Sequence, residues 1–360
     1  MILPVISAAD RGRLIEQIRY LGGWATRWAS QLSVALVYGG VSAEDQLYLA
    51  KSPPGQLSVT ALSDALTALG ARFSVLDPCR PGFIQDLAGF DVALPNLHGP
   101  FGEDGRLQGL LDYLRTPYCG SGVSASAIAA DKILCKRMME SLGIPTPGWR
   151  IWPGPLAAWP GHPVMVKPRM GGSSVGMTLA CDQGDLHAAI KLADADDPPG
   201  VLIEDYVLGL PVTVGLLELP GGILVLPPLA TRVSDADFYD AAAKLGTGAA
   251  VSYDDPGLPG PALAALTAHA LALWDGLGCR GMARADFIIT EYGEVNGLEV
   301  NTTPGMSYGS NFLTAAGRCG LRPADVVAAI LHEGLTRPRY DAPLPVPAFT
   351  ARPAQEGPPC

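Results

Sequence analysis

The chain has 360 residues and a formal net charge of −10, and hydrophobic residues make up 48% of it. That length predicts two or three domains, and the apolar content excludes a chain that is disordered throughout. The acidic balance, without any Lys/Arg-rich run, argues against binding along a nucleic-acid backbone or to an anionic membrane surface. Gly (43) and Pro (33) are abundant, so the backbone turns often or carries working loops.

The cysteines and the N-terminal residues predict a cytoplasmic protein. The seven Cys form no CxxC pair and are odd in number, which is typical of reduced thiols in the cytosol. The first residues carry no basic segment before an apolar one, and no uninterrupted apolar run reaches about 18 residues. We therefore expect neither a signal peptide nor a membrane span.

The first third of the chain predicts a parallel α/β sheet. A helical pattern over 10–31, interrupted by Gly22 and Gly23, comes first. Strands alternating with a helix follow it, because strands are predicted at 33–40, 71–77 and 91–99 and a helix at 57–70. Ligands of such sheets gather at the carboxyl ends of the strands. The polar segments GGVSAED (39–45) and HGPFGEDG (98–105) follow two of these strands and are candidates for a site.

The remaining chain predicts a mixture of helices and strand pairs. Helices are expected at 126–143, 261–278 and 323–335, strands at 162–168, 201–207, 211–219 and 222–229, and a hairpin about 291–293. The stretch 231–261 is Ala/Gly/Asp-rich and irregular, and loops of that length are uncommon unless they are functional. Residues 341–360 contain six Pro and predict a mobile tail.

A Gly/Ser loop, VKPRMGGSSVG, follows the strand that carries Lys167. Such a loop exposes backbone N–H groups that can cradle phosphate oxygens, and Lys167 would add positive charge. The loop has neither the Walker A order nor the GxGxxG pattern. A flexible turn explains the loop alone equally well, so both interpretations stay open.

Four polar residues lie in otherwise apolar strands: Arg284, Asp286, Glu299 and Asn301. Side chains two residues apart on a strand share a face, so Glu299 lies beside Asn301 and Arg284 beside Asp286. Hard oxygen ligands on neighbouring strands suit Mg²⁺, which keeps substrate phosphates as further ligands. The alternative is a solvated polar face on which Arg284 pairs with Asp286. The spacing favours the metal site.

The two polar segments after the early strands give weaker signals. His98 is a candidate for orienting a substrate or moving a proton. Glu44 alone fits the first turn of a helix, where negative charge is favourable. Glu103 and Asp104 fit a turn and a helix cap before LQGLLDYL, and we favour that structural role.

Together these segments resemble the D-alanine–D-alanine ligase family of the ATP-grasp superfamily. The resemblance rests on VALVYGGVSAED, LPNLHGPFGEDGRLQGLLDYLRTPYCGSGVSASAIAADK, VMVKPRMGGSSVGM, VLIEDYVLGLPVTVGLL, FYDAAAK and GMARADF…GLEVNTTPGMSYGS, in family order over 34 to about 335. It implies an α/β, three-domain ATP-grasp fold with an N-terminal parallel α/β domain. The expected divisions are an N-terminal extension (1–33), an α/β substrate domain (34–122), a central domain (123–205), a C-terminal catalytic domain (206–340) and a Pro-rich tail (341–360).

The resemblance also implies an activity. ATP phosphorylates the carboxylate of one amino acid, and the amine of a second displaces the phosphate to form a peptide bond. The expected product is D-Ala-D-Ala for peptidoglycan precursors. The expected cofactors are ATP and two Mg²⁺ ions, with Mn²⁺ as a substitute, and the expected partners are small amino acids and a second copy of the chain in a homodimer.

Residue by residue, the resemblance implies the following roles. The ATP-binding positions are Lys132, Lys167, Ser174, Glu204 and Tyr206, and the Mg²⁺ ligands are Asp286, Glu299 and Asn301. The catalytic positions are Glu44, which holds the first ammonium, Ser173, which links Glu44 to the mobile loop, Lys244, which reaches the transferred phosphoryl group, and Arg284 and the Gly305 N–H, which stabilise the oxyanion. The amino-acid positions are His98 near the first substrate and Ser310 and Asn311 at the second.

Four positions depart from the family pattern. Leu245 replaces a Tyr that closes the loop, and Ala242 replaces an acid in that loop. Pro211 stands where a ribose-binding Glu is expected, and Asn311 replaces a Leu-type residue of the acceptor pocket. These departures leave open a ligase with another acceptor, such as D-lactate or D-serine. A non-catalytic nucleotide-binding relative and a Rossmann oxidoreductase are weaker alternatives, since the catalytic residues are present and GxGxxG with its acid is missing.

Overall fold

The structure is a computed structural model that describes residues 8–152, 154, 158–172, 175–194, 200–233 and 251–338. Its helices are α1 (Ala8–Trp28), α2 (Ala43–Lys51), α3 (Ser58–Ala68), α4 (Phe83–Leu87), α5 (Arg106–Tyr113), α6 (Val123–Ala130), α7 (Lys132–Ser141), α8 (Gln183–Ala193), α9 (Gly260–Leu277), α10 (Asn311–Arg318) and α11 (Pro323–Thr336). Its strands are β1 (Ser33–Val37), β2 (Arg72–Leu76), β3 (Val92–Pro95), β4 (Trp149–Ile151), β5 (Val164–Pro168), β6 (Thr178–Ala180), β7 (Val201–Asp205), β8 (Leu210–Leu219), β9 (Gly222–Val225), β10 (Leu229–Val233), β11 (Val251–Asp254), β12 (Met282–Ile289) and β13 (Val295–Asn301).

The first sheet is parallel, as the alternation of strands and helices predicts. Its order is β2-β1-β3, and the central strand β1 pairs with both neighbours in parallel. The chain bends after β1 at Gly39, where an added Cβ would lie 2.2 Å from Asp77 Oδ1, so a larger residue would require the Asp77 side chain to move. This sheet therefore brings the segments after β1 and β3 to the same edge.

Two antiparallel sheets are built from the later strands. One has the order β4-β7-β5-β6, and α8 packs against it. The other runs β11-β10-β8-β12-β13, with β9 also paired to β8. The predicted strand pair about Pro220–Gly222 and the hairpin about 291–293 are both confirmed.

The single helix predicted over 126–143 is wrong, because the chain forms α6 and α7 with a break at Asp131. The Asp131 carboxylate accepts hydrogen bonds from the N–H groups of Ile133 and Leu134 at 3.0 and 3.1 Å. It also pairs with Arg169 at 2.7 Å. An Asp that caps the next helix in this way competes with continued helix, which the apolar periodicity alone does not reveal.

The N-terminal segment forms one continuous helix, α1, despite Gly22 and Gly23. Leu21 and Trp24 are buried, and α1 packs against α11. The rings of Trp24 and His332 meet edge to face with centroids 5.3 Å apart. Tertiary packing against α11 thus overrides the low helix propensity of the two glycines.

The expected divisions at 33/34, 122/123, 205/206 and 340/341 stay predictions. Residues 234–250, which form most of the irregular stretch, and the Pro-rich tail lie outside the described residues. Among the helices that the structure describes, none combines the length and apolar character needed to cross a bilayer.

Candidate active site

The segments after β1 and β3 meet at the carboxyl edge of the first sheet. The Ser42 hydroxyl donates to the His98 carbonyl at 2.6 Å and also caps α2 by accepting from the Asp45 N–H. The Asp45 carboxylate accepts from the His98 N–H at 2.9 Å. The two polar segments therefore form one unit, and His98 is part of it.

A loop at 302–310 approaches this unit from the end of β13. The buried Asn96 amide donates to the Pro304 carbonyl at 3.4 Å, and the Met306 N–H donates to Ser58 Oγ at 3.0 Å. An added Cβ on Gly305 would lie 3.8 Å from His98 Nε2. His98, which the resemblance places near the first substrate, and Gly305, whose N–H it assigns to the oxyanion, are thus brought together.

The β12–β13 hairpin places the four polar residues of its strands on one face. Arg284 pairs with Asn301 in register and Asp286 with Glu299, and the register shifts only after Asp286. Directly opposed residues of antiparallel strands project to the same side. The face-sharing that side-chain periodicity predicts is therefore present.

Arg284 and Asp286 form a bidentate ion pair in this structure. The guanidinium Nε and Nη2 lie 3.0 and 2.9 Å from the Asp286 oxygens, and Thr213 Oγ1 donates to Asp286 Oδ1 at 2.7 Å. Asn301 Oδ1 accepts from the Thr303 N–H at 2.8 Å. An Arg284–Asp286 pair is the alternative to a metal site that the sequence left open. However, the two side chains are only 14% and 21% exposed, so this is not an ordinary solvated face.

Two buried lysines share one carboxylate at β5, the strand that leads into the Gly/Ser loop. Lys167 and Lys136 each contact a different oxygen of Glu204, which is 2% exposed. Lys136 also donates to the Gly297 carbonyl on β13 at 3.2 Å, which connects this cluster to the strand that carries Glu299. Lys132 donates to the carbonyls of Met170 and Gly171 at the start of the loop.

The charges in this cluster stabilise one another. Burial alone would raise the pKa of Glu204, but Lys167 and Lys136 outweigh it and hold that pKa below its ordinary value. Burial lowers the pKa of Lys136 against the opposing effect of Glu204. One carboxylate between two ammonium groups leaves a net positive charge, which is suited to an anionic ligand.

Sequence reasoning missed Lys136, which is completely buried. Its position on α7, four residues after Lys132, puts both lysines on one side of the helix, and that spacing is the signal that could have found it.

Four further positions singled out in the sequence lie at or near the ends of elements. Ser310 is the N-cap of α10, where its hydroxyl accepts from the Leu313 N–H at 3.4 Å, and Asn311 is the first residue of that helix. Tyr206 follows β7 and donates its N–H to the Pro163 carbonyl at 3.1 Å. Pro211 lies in β8 opposite Ile288.

Part of the predicted site lies outside the described residues: Ser173, Ser174, Ala242, Lys244, Leu245 and the side chain of Glu44. Within the described ranges, no group of three or more His, Cys, Asp or Glu is arranged to hold a metal ion. The predicted Mg²⁺ ligands are two carboxylates and one amide, so metal binding would depend on Asn301 and on oxygens of a bound ligand.

Comparison with known proteins identifies the family. A family model described as D-ala D-ala ligase C-terminus matches residues 152–332, and one described as D-ala D-ala ligase N-terminus matches 74–121. A D-alanine--D-alanine ligase of Gloeobacter violaceus is 38% identical over 300 residues, which cover 79% of this chain and 96% of that protein. The chain belongs to the D-alanine–D-alanine ligase family.

Solved structures agree with this assignment. The D-alanine–D-alanine ligase of Bacillus anthracis complexed with ATP is 26% identical with a TM-score of 0.70, over 84% of this chain and 97% of that one. The VanG D-Ala:D-Ser ligase of Enterococcus faecalis is 22% identical with a TM-score of 0.67, over 84% and 99%, and shares the fold. The predicted fold class, an α/β ATP-grasp ligase, is confirmed.

Proposed function

We propose that this chain is an ATP-dependent ligase that joins two molecules of D-alanine into D-Ala-D-Ala for peptidoglycan precursors. Its relatives carry the name D-alanine--D-alanine ligase, and the Bacillus anthracis relative was solved with ATP. The observation that carries the proposal is the β12–β13 face, where Arg284, Asp286, Glu299 and Asn301 lie in register.

The ATP site of this proposal is the lysine cluster. Lys167, Glu204 and Lys132 would hold the nucleotide together with Ser174 and Tyr206. Phosphoryl transfer depends mainly on positioning and on neutralising charge, and the net positive charge about Glu204 supplies part of both.

The β12–β13 face fits Mg²⁺. Asp286, Glu299 and Asn301 present the hard oxygen donors that this ion prefers, on neighbouring strands and one side of the sheet. These three residues would hold two Mg²⁺ ions, or Mn²⁺, with phosphate oxygens completing the coordination. A bound Mg²⁺ would neutralise phosphate charge, and Arg284 would donate to the developing oxyanion.

The chemistry assigned to the other residues follows from the carboxylate being a poor electrophile. An oxygen of the first carboxylate forms a bond to the γ-phosphorus, ADP leaves, and the amine of the second amino acid then displaces phosphate from the acyl carbon and loses a proton. Arg284 and the Gly305 N–H would stabilise the negative charge of the tetrahedral intermediate. Glu44, His98 and Ser173 would hold the first amino acid, Ser310 and Asn311 the second, and Lys244 the transferred phosphoryl group.

The test is phosphate release by the purified chain with ATP, Mg²⁺ and D-alanine, combined with detection of the dipeptide by mass spectrometry. Lys167→Met should abolish both signals, whereas the matched variant Lys191→Met on the exposed face of α8 should not. Product that forms with L-alanine, or no product with D-alanine, would contradict the proposal. Faster turnover with D-lactate or D-serine as acceptor would instead indicate the altered ligase that Asn311 and Leu245 suggest.

The same preparation separates an enzyme from a nucleotide-binding relative. Glu299→Ala and Asn301→Ala should lose product formation while ATP binding, followed by calorimetry, persists. Full activity of both variants would contradict the metal site. We further propose a cytoplasmic homodimer, because the reaction consumes ATP and the family is typically dimeric, and analytical ultracentrifugation checks the mass.

A further inference from the structure

Asp45 is a buried carboxylate that contacts His98 twice. It lies in the first turn of α2 and is 3% exposed. Its Oδ1 accepts from the His98 N–H at 2.9 Å and lies 3.2 Å from His98 Nδ1. One oxygen thus fixes both the backbone and the ring of the same residue.

The other oxygen of Asp45 shows that this contact is more than a structural tie. Asp45 Oδ2 is buried and has no hydrogen-bond partner among the described residues. A buried carboxylate with one such oxygen costs free energy, and a neutral side chain of the same shape would join the two segments at lower cost. The negative charge of Asp45 therefore acts on the imidazole ring of His98.

A carboxylate only accepts hydrogen bonds, so the ring nitrogen that faces Asp45 carries the proton. With Nδ1–H directed at Asp45, Nε2 is on the opposite side of the ring. That side faces Gly305, whose added Cβ would lie 3.8 Å from Nε2. The loop that carries Gly305 is held by Asn96 and Ser58, so both partners are fixed in place.

Among the described side chains, the Asp45 carboxylate contacts the His98 ring directly. The Tyr48 ring packs on His98 with centroids 5.6 Å apart. Burial, and then the charge of Asp45, raises the pKa of Tyr38 to about 12, so that phenol is neutral. Glu103 binds the Gly99 N–H at 2.6 Å. The side chain of Glu44 lies outside the described residues.

We propose that Asp45 is a positioning residue that holds His98 as the Nδ1–H form and favours its imidazolium, so that Nε2–H donates to the carboxylate of the first amino acid. The inference rests on the proposed function, in which that carboxylate lies between His98 and Gly305. The residue before it, Glu44, is the one that the family resemblance singles out. Asp45 is a second acid, and it acts on His98 instead of on the substrate ammonium.

The kinetic test compares Asp45→Asn with the wild type. The amide keeps the shape and can still accept from the His98 N–H, but it removes the charge. We expect the KM of the first D-alanine to rise about 10- to 100-fold, the range for loss of a charge-assisted hydrogen bond, with the KM of ATP unchanged. The alkaline fall of kcat/KM for D-alanine should move to lower pH, because the imidazolium loses its counter-charge.

Two further variants make this test specific. Glu103→Gln removes another carboxylate of the same loop, one that accepts from the Gly99 N–H, and it should leave the pH profile in place. The double variant Asp45→Asn/His98→Gln should bind D-alanine no more weakly than His98→Gln alone. Additive losses, or an unmoved pH profile in Asp45→Asn, would overturn the inference.

Nitrogen-15 NMR of histidine-labelled, full-length protein keeps the inference testable if Asp45→Asn does not fold. The His98 signal, assigned with His98→Gln, should show a protonated Nδ1 throughout pH 6–8. A neutral ring protonated only at Nε2 would overturn the inference. A wild-type chain that makes no dipeptide, yet shows protonated Nδ1, would contradict the proposed function and leave the Asp45–His98 pair standing.

Discussion

Glu333 makes the stability of this protein depend on pH. It lies on α11 and is 6% exposed, at the meeting point of α11, β8 and the segment after α5. Arg280 Nη1 and Arg337 Nε lie 3.5 and 3.7 Å from Glu333 Oε1. Burial raises the pKa of Glu333 from 4.5 to about 7, and the charge of Glu218 adds to it while the two arginines oppose it.

The sign of the effect follows from the direction of that shift. Between pH 4.5 and 7 the folded protein keeps the Glu333 proton that the unfolded chain loses, so stability falls as pH rises. The contribution is complete below pH 4.5 and gone above pH 7. A pKa difference of this size corresponds to about 3 kcal/mol. Glu333→Gln mimics the protonated acid and removes the dependence.

The assay is the difference in unfolding free energy between Glu333→Gln and the wild type, from urea unfolding at pH 5, 6, 7 and 8. We expect the variant to gain stability relative to the wild type as pH rises, by about 2.5 kcal/mol between pH 5 and pH 8. Glu291→Gln, on an exposed turn, is the matched control and should give a flat difference. A flat difference for Glu333→Gln, or a variant that is less stable at pH 8, would refute the reasoning.

Three other substitutions test the packing that supports the site. Lys136→Met leaves Glu204 with one partner, so we expect a loss of about 3–5 kcal/mol in thermal unfolding and a higher KM for ATP. Asp131→Ala removes the cap of α7 and the Arg169 pair, which should cost about 1–2 kcal/mol in urea unfolding. Trp24→Ala empties the α1–α11 contact and should cost about 3–5 kcal/mol, measured by calorimetry.

Each of these substitutions has a control of the same residue type elsewhere in the structure. Lys51→Met is an exposed counterpart for Lys136→Met, Asp182→Ala removes the cap of α8 instead of α7, and Trp28→Ala lies at the end of α1. An unchanged ATP KM in Lys136→Met would contradict the role of the buried lysine. Unchanged stability of Trp24→Ala would contradict a structural role for α1.

The sequence predicts those features that depend on local periodicity. The apolar runs before Gly39 and His98 indicate parallel strands, and the spacing of two between Glu299 and Asn301 indicates a shared face. Lys136, Asp45 and the break at Asp131 were not predicted from this periodicity. Each has a partner that is distant in sequence: Glu204 on β7 for Lys136, His98 for Asp45 and Arg169 for Asp131. The spacing from Lys132 puts Lys136 on the same side of α7, but no local pattern identifies these distant partners.

The hydrogen bonds between the early α/β segment and the 302–310 loop also determine when the site can form during synthesis. Asn96 bonds to Pro304 over 208 residues, Tyr308 to Asp64 over 244, and Met306 to Ser58 over 248. At about 5–20 residues per second, the ribosome delivers the later partner roughly ten seconds to a minute after the earlier one. During that interval the early α/β segment lacks the 302–310 loop that contacts it in the folded protein. We expect the segment to be most vulnerable then to proteases and to wrong strand pairing.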